Sequence, residues 1–224
     1  MSAAPSIMLI HATPVAIDPI HEAFRLGWPA AALTNILDDG LSRDRALKHE
    51  LDSNLTARFV ELVIYAYRRG ADGILVTCSA FGPAIEQAAQ AVPIPVLKPN
   101  EAMFEAAMKA GENIGMLATF APSVLTMEEE FSTQAAQRSS TARLQTQVVA
   151  LAMDALRAGD EATHNRLVAA GAAAFDGCDA LMLAHFSTSR AAVLVRKAVN
   201  VPVLTAPDAA VAALKQRIAE GGVS

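Results

Sequence analysis

Asp72-Gly-Ile-Leu-Val-Thr-Cys78 is a short apolar run entered through an acid and left through a thiol. Asp179-Ala-Leu-Met-Leu-Ala-His185, 107 residues further on, repeats the pattern with histidine in place of cysteine. Unbroken apolar runs of this length suit strands covered on both faces, as in parallel sheets flanked by helices. Without a gap the match continues from Val92, Pro95, Val96 and Leu97 onto Val199, Pro202, Val203 and Leu204, and eight of the 31 positions from Asp72 to Ala102 are identical. Near the same offset, Ala12-Thr13 and Ala118-Thr119 close two further apolar runs. Duplication of a four-strand unit is the simplest source of such a repeat. The predicted fold is therefore α/β, with two pseudo-symmetric parallel-sheet halves of flavodoxin-like kind. The first covers 1–110 and the second 111–224, with the final helix packing back across the first half. One continuous sheet carrying a coincidental repeat is the alternative these residues leave open.

Working outward, short apolar runs alternate with longer stretches of helical period, the pattern of successive βα units. Strands are expected over 7–12, 31–37, 73–77, 96–97, 114–118, 148–151, 180–184 and 203–204. Helices are expected over 55–69, 102–110, 122–134, 161–175, 190–199 and 209–219.

Composition narrows the function. Hydrophobic residues make up 53% and aromatics 5%, and the formal net charge is -5, with no basic, aromatic-interleaved run to follow a phosphate backbone, so nucleic acid is not an expected partner. No segment approaches the roughly 18 apolar residues of a bilayer span, and His11 and Pro14 interrupt the first apolar run, so neither a membrane partner nor a leader is expected and the reading is cytoplasmic. The two cysteines, Cys78 and Cys178, lack neighbours at zinc-ligand spacing and are too few for a disulfide framework. No metal is expected.

In parallel α/β sheets ligands gather at the carboxyl ends of strands, where helix N-termini offer free amides. The polar residues at such ends are His11 and Thr13, Thr77, Cys78 and Ser79, Thr119, and His185 with Ser187 and Thr188. A twofold between the halves would set Cys78 and His185 at equivalent places on facing walls of one cleft. Amides ahead of the helix opened by Gly82-Pro83 are expected to lower the Cys78 thiol pKa; a buried structural cysteine is the alternative. His185 reads either as an acid–base residue or as a core histidine held by a backbone carbonyl. The hydroxyls of Thr13, Thr77, Ser79, Thr119, Ser187 and Thr188, with His11, are candidates for binding a carboxylate, although ordinary turn and cap chemistry selects the same types. Cys178, ahead of its strand, reads as packing, and His164 as a surface or packing residue.

These stretches carry a resemblance. Ile-Leu-Val-Thr77-Cys78-Ser79, Pro95-Val-Leu-Lys-Pro-Asn-Glu-Ala-Met103, Ile114-Gly-Met-Leu-Ala-Thr119-Phe and Leu181-Met-Leu-Ala-His185-Phe-Ser187 are similar to the aspartate/glutamate/hydantoin racemase superfamily, which includes maleate isomerase and arylmalonate decarboxylase. The resemblance implies a cofactor-independent site between two pseudo-symmetric domains, a small-molecule carboxylate substrate and a homo-oligomer. It also implies a cysteine from each half flanking the substrate α-carbon, one taking the proton and the other returning it. Cys78 matches the first; His185 stands at the second, a departure from the two-thiol pattern. A thiol and an imidazole can still form a two-base pair. The implied activities are therefore a racemase or isomerase of a small amino-acid-like or hydantoin-like carboxylate, a decarboxylase or other carbon–carbon lyase, and a binding protein that has lost catalysis.

Overall fold

A computed structural model describes residues 4–48, 51–175 and 177–221. The chain divides into two compact units. One comprises the described residues of Met1–Asn100 with those of Ala210–Ser224, the other those of Glu101–Ala209.

In the first unit the order is β1 (Ser6–His11), α1 (Ile17–Gly27), β2 (Ala32–Leu37), α2 (Gly40–Ala46), α3 (Ser53–Arg68), β3 (Gly73–Val76), α4 (Gly82–Ala89) and β4 (Val96–Leu97). The strands form an all-parallel sheet in the order β2-β1-β3-β4. The second unit runs α5 (Glu101–Ala110), β5 (Asn113–Ala118), α6 (Val124–Gln137), β6 (Arg143–Val148), α7 (Ala152–Arg157), α8 (Glu161–Gly171), β7 (Ala180–Leu183), α9 (Ala192–Ala198) and β8 (Val203–Thr205). Its sheet is also parallel, in the order β6-β5-β7-β8. The last helix, α10 (Ala206–Gly221), sends Leu214 and Ile218 against Gly73 of β3, where a Cβ would come within 2.7 Å of Ile218. Glycine there lets a helix approach the strand closely.

The repeat is a repeat of register. Ile7 pairs with Gly73 and Ile114 with Ala180; Ile74 pairs with Val96 and Leu181 with Val203. Each member of the second pair lies 107 residues beyond its counterpart. The edge strands break this spacing: Ala32 and Arg143, the partners of Ser6 and Asn113, lie 111 apart. The aspartates that open the repeat do the same work in both units. Asp72 Oδ2 accepts the Ser6 amide at 2.7 Å, and Asp179 Oδ2 accepts the amides of Glu112 and Asn113 at 2.8 Å each. Each carboxylate ties the start of a central strand to its neighbour.

Central strands β3 and β7 are buried at every position, as sheets covered on both faces require. On one side of the first sheet Phe59 and Phe81 stack with ring centroids 5.5 Å apart, amid a cluster that includes Ile10, Val63, Ile74 and Ile85. The second sheet builds its own cluster from Leu117, Val168, Phe175, Leu183 and Val195. Each such side chain contributes about 1.5–3 kcal/mol on burial.

One predicted strand is corrected. Residues 148–151 do not form β6, which lies at Arg143–Val148. As an edge strand it carries Arg143, Gln145, Thr146 and Gln147 and so lacks an apolar run, whereas Val149 drops into the core just after it and Leu151 turns through a left-handed φ of 61° with its side chain in solvent. The expected helix over 161–175 ends as an α-helix at Gly171 and continues as a 3-10 turn through Phe175.

Candidate functional site

At the carboxyl end of the first sheet, β1 delivers His11 and β3 runs into Thr77 and Cys78. His11 is fully buried. Its Nδ1 lies 2.8 Å from Thr77 Oγ1 and its Nε2 2.9 Å from Asn35 Oδ1 of β2, an oxygen that His21 Nε2 also reaches at 2.9 Å. Both ring nitrogens of His11 are thus taken by protein groups, and burial lowers its pKa, partly offset by the Asn35 hydrogen bond. Thr77 is buried and its amide donates to the Ile10 carbonyl at 3.0 Å. Thr13 follows β1 in extended backbone ahead of a 3-10 turn, half-buried and without a side-chain cap bond.

Cys78 sits in extended backbone immediately before the 3-10 turn Ser79–Phe81 that leads into α4. The Ala80 amide, the Ser42 side chain and the charge of Arg45, the last two from α2, favour its thiolate, but burial outweighs all three and pushes the thiol up. The expected lowering of the Cys78 pKa is therefore overturned. The reason is that desolvation penalises the anion more than one amide and one hydroxyl stabilise it. At neutral pH Cys78 is a thiol, a proton donor. Ser79 beside it is half-buried.

In the second unit β5 leads into Thr119 and β7 into Ala184 and His185. Thr119 Oγ1 and Thr188 Oγ1 lie 3.2 Å apart, both buried, and Ser187 is buried beside Thr188 in the 3-10 turn Ser187–Ala191. His185 has a φ of 70°. A left-handed histidine costs about 1 kcal/mol that glycine would not, and such strain concentrates where a side chain has work to do. Its Nε2 lies 2.5 Å from Ser123 Oγ, while its Nδ1 is buried without a hydrogen-bond partner. Burial pulls its pKa down to about 4, against the Ala184 carbonyl, which favours the protonated ring. Near neutral pH the imidazole is uncharged and is a base. The Phe120 ring stands edge-on to it, centroids 6.5 Å apart, with the Arg157 guanidinium 5.9 Å from the centre of Phe120.

The structure thus joins His11 to Thr77 and Thr119 to Thr188, and gives the two repeat positions opposite protonation tendencies. Asn35, Ser42, Phe120 and Ser123 were missed by the sequence reading. Ser42 and Ser123 come from non-equivalent elements, so the repeat could not flag them; Asn35, a polar residue on an edge strand, carried a weak signal. Cys178 is half-buried, packs against the second core and has its thiol pushed up by burial. His164 is a packing residue, fully buried in α8 with Nδ1 2.8 Å from Asn165 Oδ1. A surface groove bordered by Asp44, Lys48, Asn54 and Arg58 includes none of the candidate residues. Among the described residues no helix is long and apolar enough to cross a membrane, and no group of three or more His, Cys, Asp or Glu is gathered as a metal ion needs.

Comparison with known proteins follows the same lines. The family profile described as Asp/Glu/Hydantoin racemase matches residues 42–176. No curated protein matches the sequence. Among solved structures, allantoin racemase from Klebsiella pneumoniae superposes with a TM-score of 0.72 at 18% identity, covering 97% of this chain and 89% of that one. Aspartate racemase from Picrophilus torridus gives a TM-score of 0.71 at 17% identity, covering 96% of this chain and 94% of that one. A glycine-to-cysteine mutant of arylmalonate decarboxylase, in a sulfate-associated form, gives 0.70 at 16% identity, covering 98% and 95%. At these identities the likeness is one of fold.

Proposed function

The chain belongs to the Asp/Glu/hydantoin racemase family, and on that premise we propose that it moves a proton at the α-carbon of a small carboxylate, as a cofactor-independent racemase or isomerase with Cys78 and His185 as its acid and base. The observation that carries this reading is their complementary protonation: equivalent repeat positions hold a thiol pushed up and an imidazole pulled down to about 4.

The steps balance. The substrate binds as a carboxylate, held by strand-end hydroxyls and amides drawn from Thr13, Thr77, Ser79, Thr119, Ser187 and Thr188. His185 takes the α-proton and becomes imidazolium, and the electron pair of the broken C–H bond moves into the carboxylate as an enediolate whose charge the hydroxyls and amides take up. Cys78 then gives its thiol proton to the opposite face and is left as thiolate. Return to the resting state requires a proton to leave His185 and one to reach Cys78, either through the reverse reaction or through solvent. His11, with both nitrogens engaged, acts in this scheme by fixing Thr77.

A second reading is favoured by one observation, the raised thiol. Loss of carbon dioxide from a malonate-type substrate leaves the same enediolate, and a protonated thiol at Cys78 suffices to quench it.

Wild type, Cys78→Ala and His185→Gln are incubated with small amino, hydroxy and malonic acids and hydantoins in deuterated water, and products are followed by nuclear magnetic resonance. Deuterium entering an intact α-carbon, lost in both variants, is the result expected of an isomerase. Carboxyl loss with deuterium in its place transfers the protein to the lyases. Ligand-dependent thermal stabilisation without turnover makes it a binding protein and overturns both.

A further inference from the structure

We propose that Ser123 is the positioning residue for His185, holding the neutral ring with its proton on Nε2 and leaving Nδ1 as the bare nitrogen that takes the substrate proton. The inference rests on the proposed acid–base role of His185 and deepens it by naming the atom.

Ser123 has a single hydroxyl proton and two neighbours that could receive it, the Phe120 carbonyl at 2.9 Å and His185 Nε2 at 2.5 Å. The Phe120 carbonyl has no proton to offer, so that contact exists only if Ser123 donates. With its proton committed there, Ser123 Oγ has lone pairs alone to present to the ring, and Nε2 must carry the hydrogen. A neutral imidazole has one N–H, so Nδ1 then holds a free lone pair. That nitrogen is buried and makes no hydrogen bond within the protein. The Ala184 carbonyl favours the protonated ring but makes no hydrogen bond with Nδ1. A buried basic nitrogen without a partner is rare, because desolvating an unpaired polar atom is costly, and here it is the nitrogen whose lone pair is uncommitted.

Three further features hold the ring in place. Phe120, next to the residue pair that begins the turn, packs edge-on against the imidazole. The strained φ of 70° at His185 sets the direction in which its side chain leaves the backbone. Ser123 ends the 3-10 turn Ala121–Ser123 and precedes α6, so its hydroxyl is carried on a structured element. The repeat supplies no counterpart, since the residue 107 positions earlier is buried Ala16, so this serine is a feature of the half that carries histidine.

The test reads the tautomer directly. Long-range proton–nitrogen correlation spectra of uniformly nitrogen-15-labelled protein at pH 7, with His185→Gln identifying the ring, are expected to show Nε2 of His185 protonated and Nδ1 bare. In Ser123→Ala the ring is expected to average between tautomers, and kcat for α-proton exchange to fall roughly tenfold or more while KM changes about twofold or less, within the range that acid–base catalysis commands. Ser123→Thr, which keeps the hydroxyl, is expected to restore both. Unchanged signals from His11, His21 and His164 report that each variant is folded. Nδ1 protonated in the wild type, or an unaltered tautomer in Ser123→Ala, overturns the proposal. If the tautomer behaves as stated but wild type and His185→Gln exchange substrate protons alike, the serine's hold on the ring stands and the proposed function falls, so the two failures are distinct.

Discussion

His11 Nδ1 and Thr77 Oγ1 lie 2.8 Å apart in a buried site, which ties the ends of β1 and β3 together immediately before Cys78. With Asn35 on the other ring nitrogen, the imidazole is a structural clasp beneath the strand ends. His11→Ala removes the ring and strands Thr77, and is expected to cost about 2–4 kcal/mol. Urea unfolding checks this: the midpoint falls with the slope unchanged. A midpoint within error of wild type would show that the clasp bears no weight.

The pH dependence of the proposed α-proton exchange follows from the two shifts. His185 must be uncharged to accept a proton, which holds above about 4. Cys78 must be protonated to donate, which holds below a thiol pKa raised by burial. The rate should be level through pH 6 to 8, with its acid limb near the lowered histidine value and its alkaline limb above the ordinary thiol range of about 8.5. An inflection near 6.5, the ordinary imidazole value, would place another group in control.

Acid stability depends on His185 with a definite sign. Its folded pKa of about 4 is below the unfolded value of about 6.5, so the unfolded chain binds more protons between them. The contribution is fully present above about 6.5 and is lost as pH falls toward 4. His185→Gln, which cannot charge, should lessen the loss of stability between pH 7 and pH 4.5 by roughly 1–3 kcal/mol. Thermal melts at the two pH values measure the difference, and an equal loss in both proteins rules the idea out.

The repeated aspartates carry unequal loads. Asp179 accepts two amides where Asp72 accepts one, so Asp179→Ala is expected to destabilise the fold more than Asp72→Ala. Denaturant midpoints of the two variants should fall in that order.

Gly115 is held by its neighbours rather than by its backbone angle. A Cβ there would lie 2.5 Å from the Phe175 ring and 2.9 Å from Leu181. Gly115→Ala is expected to lose about 1–3 kcal/mol through overpacking, read as a lower melting temperature, and truncating Phe175 in the same chain should recover part of it.

Much of the architecture was legible in the chain. The runs at 73–76 and 180–183 are apolar at every position because strands buried on both faces tolerate nothing else, and the offset of 107 between them survives as an identical register. Cys78 and His185 could be picked out because each lies two residues beyond the end of such a run. The edge strand β6 was misplaced because half of an edge strand faces water, so Arg143, Gln145 and Gln147 hide it, and the neighbouring apolar Val148 to Leu151 imitates it.

The sequence by itself determined the fold class, the duplicated parallel sheets and the residues at the strand ends, since these rest on local hydrophobic period and on repetition, both written along the chain. The protonation of the two key groups was decided only by tertiary structure. The pKa of a thiol or an imidazole depends on how much water reaches it, and burial is made by segments distant in sequence: the helix bearing Ser42 and Arg45 comes to Cys78, and the turn bearing Phe120 and Ser123 comes to His185. Neighbours along the chain suggested a thiolate at Cys78; neighbours in space make it a thiol.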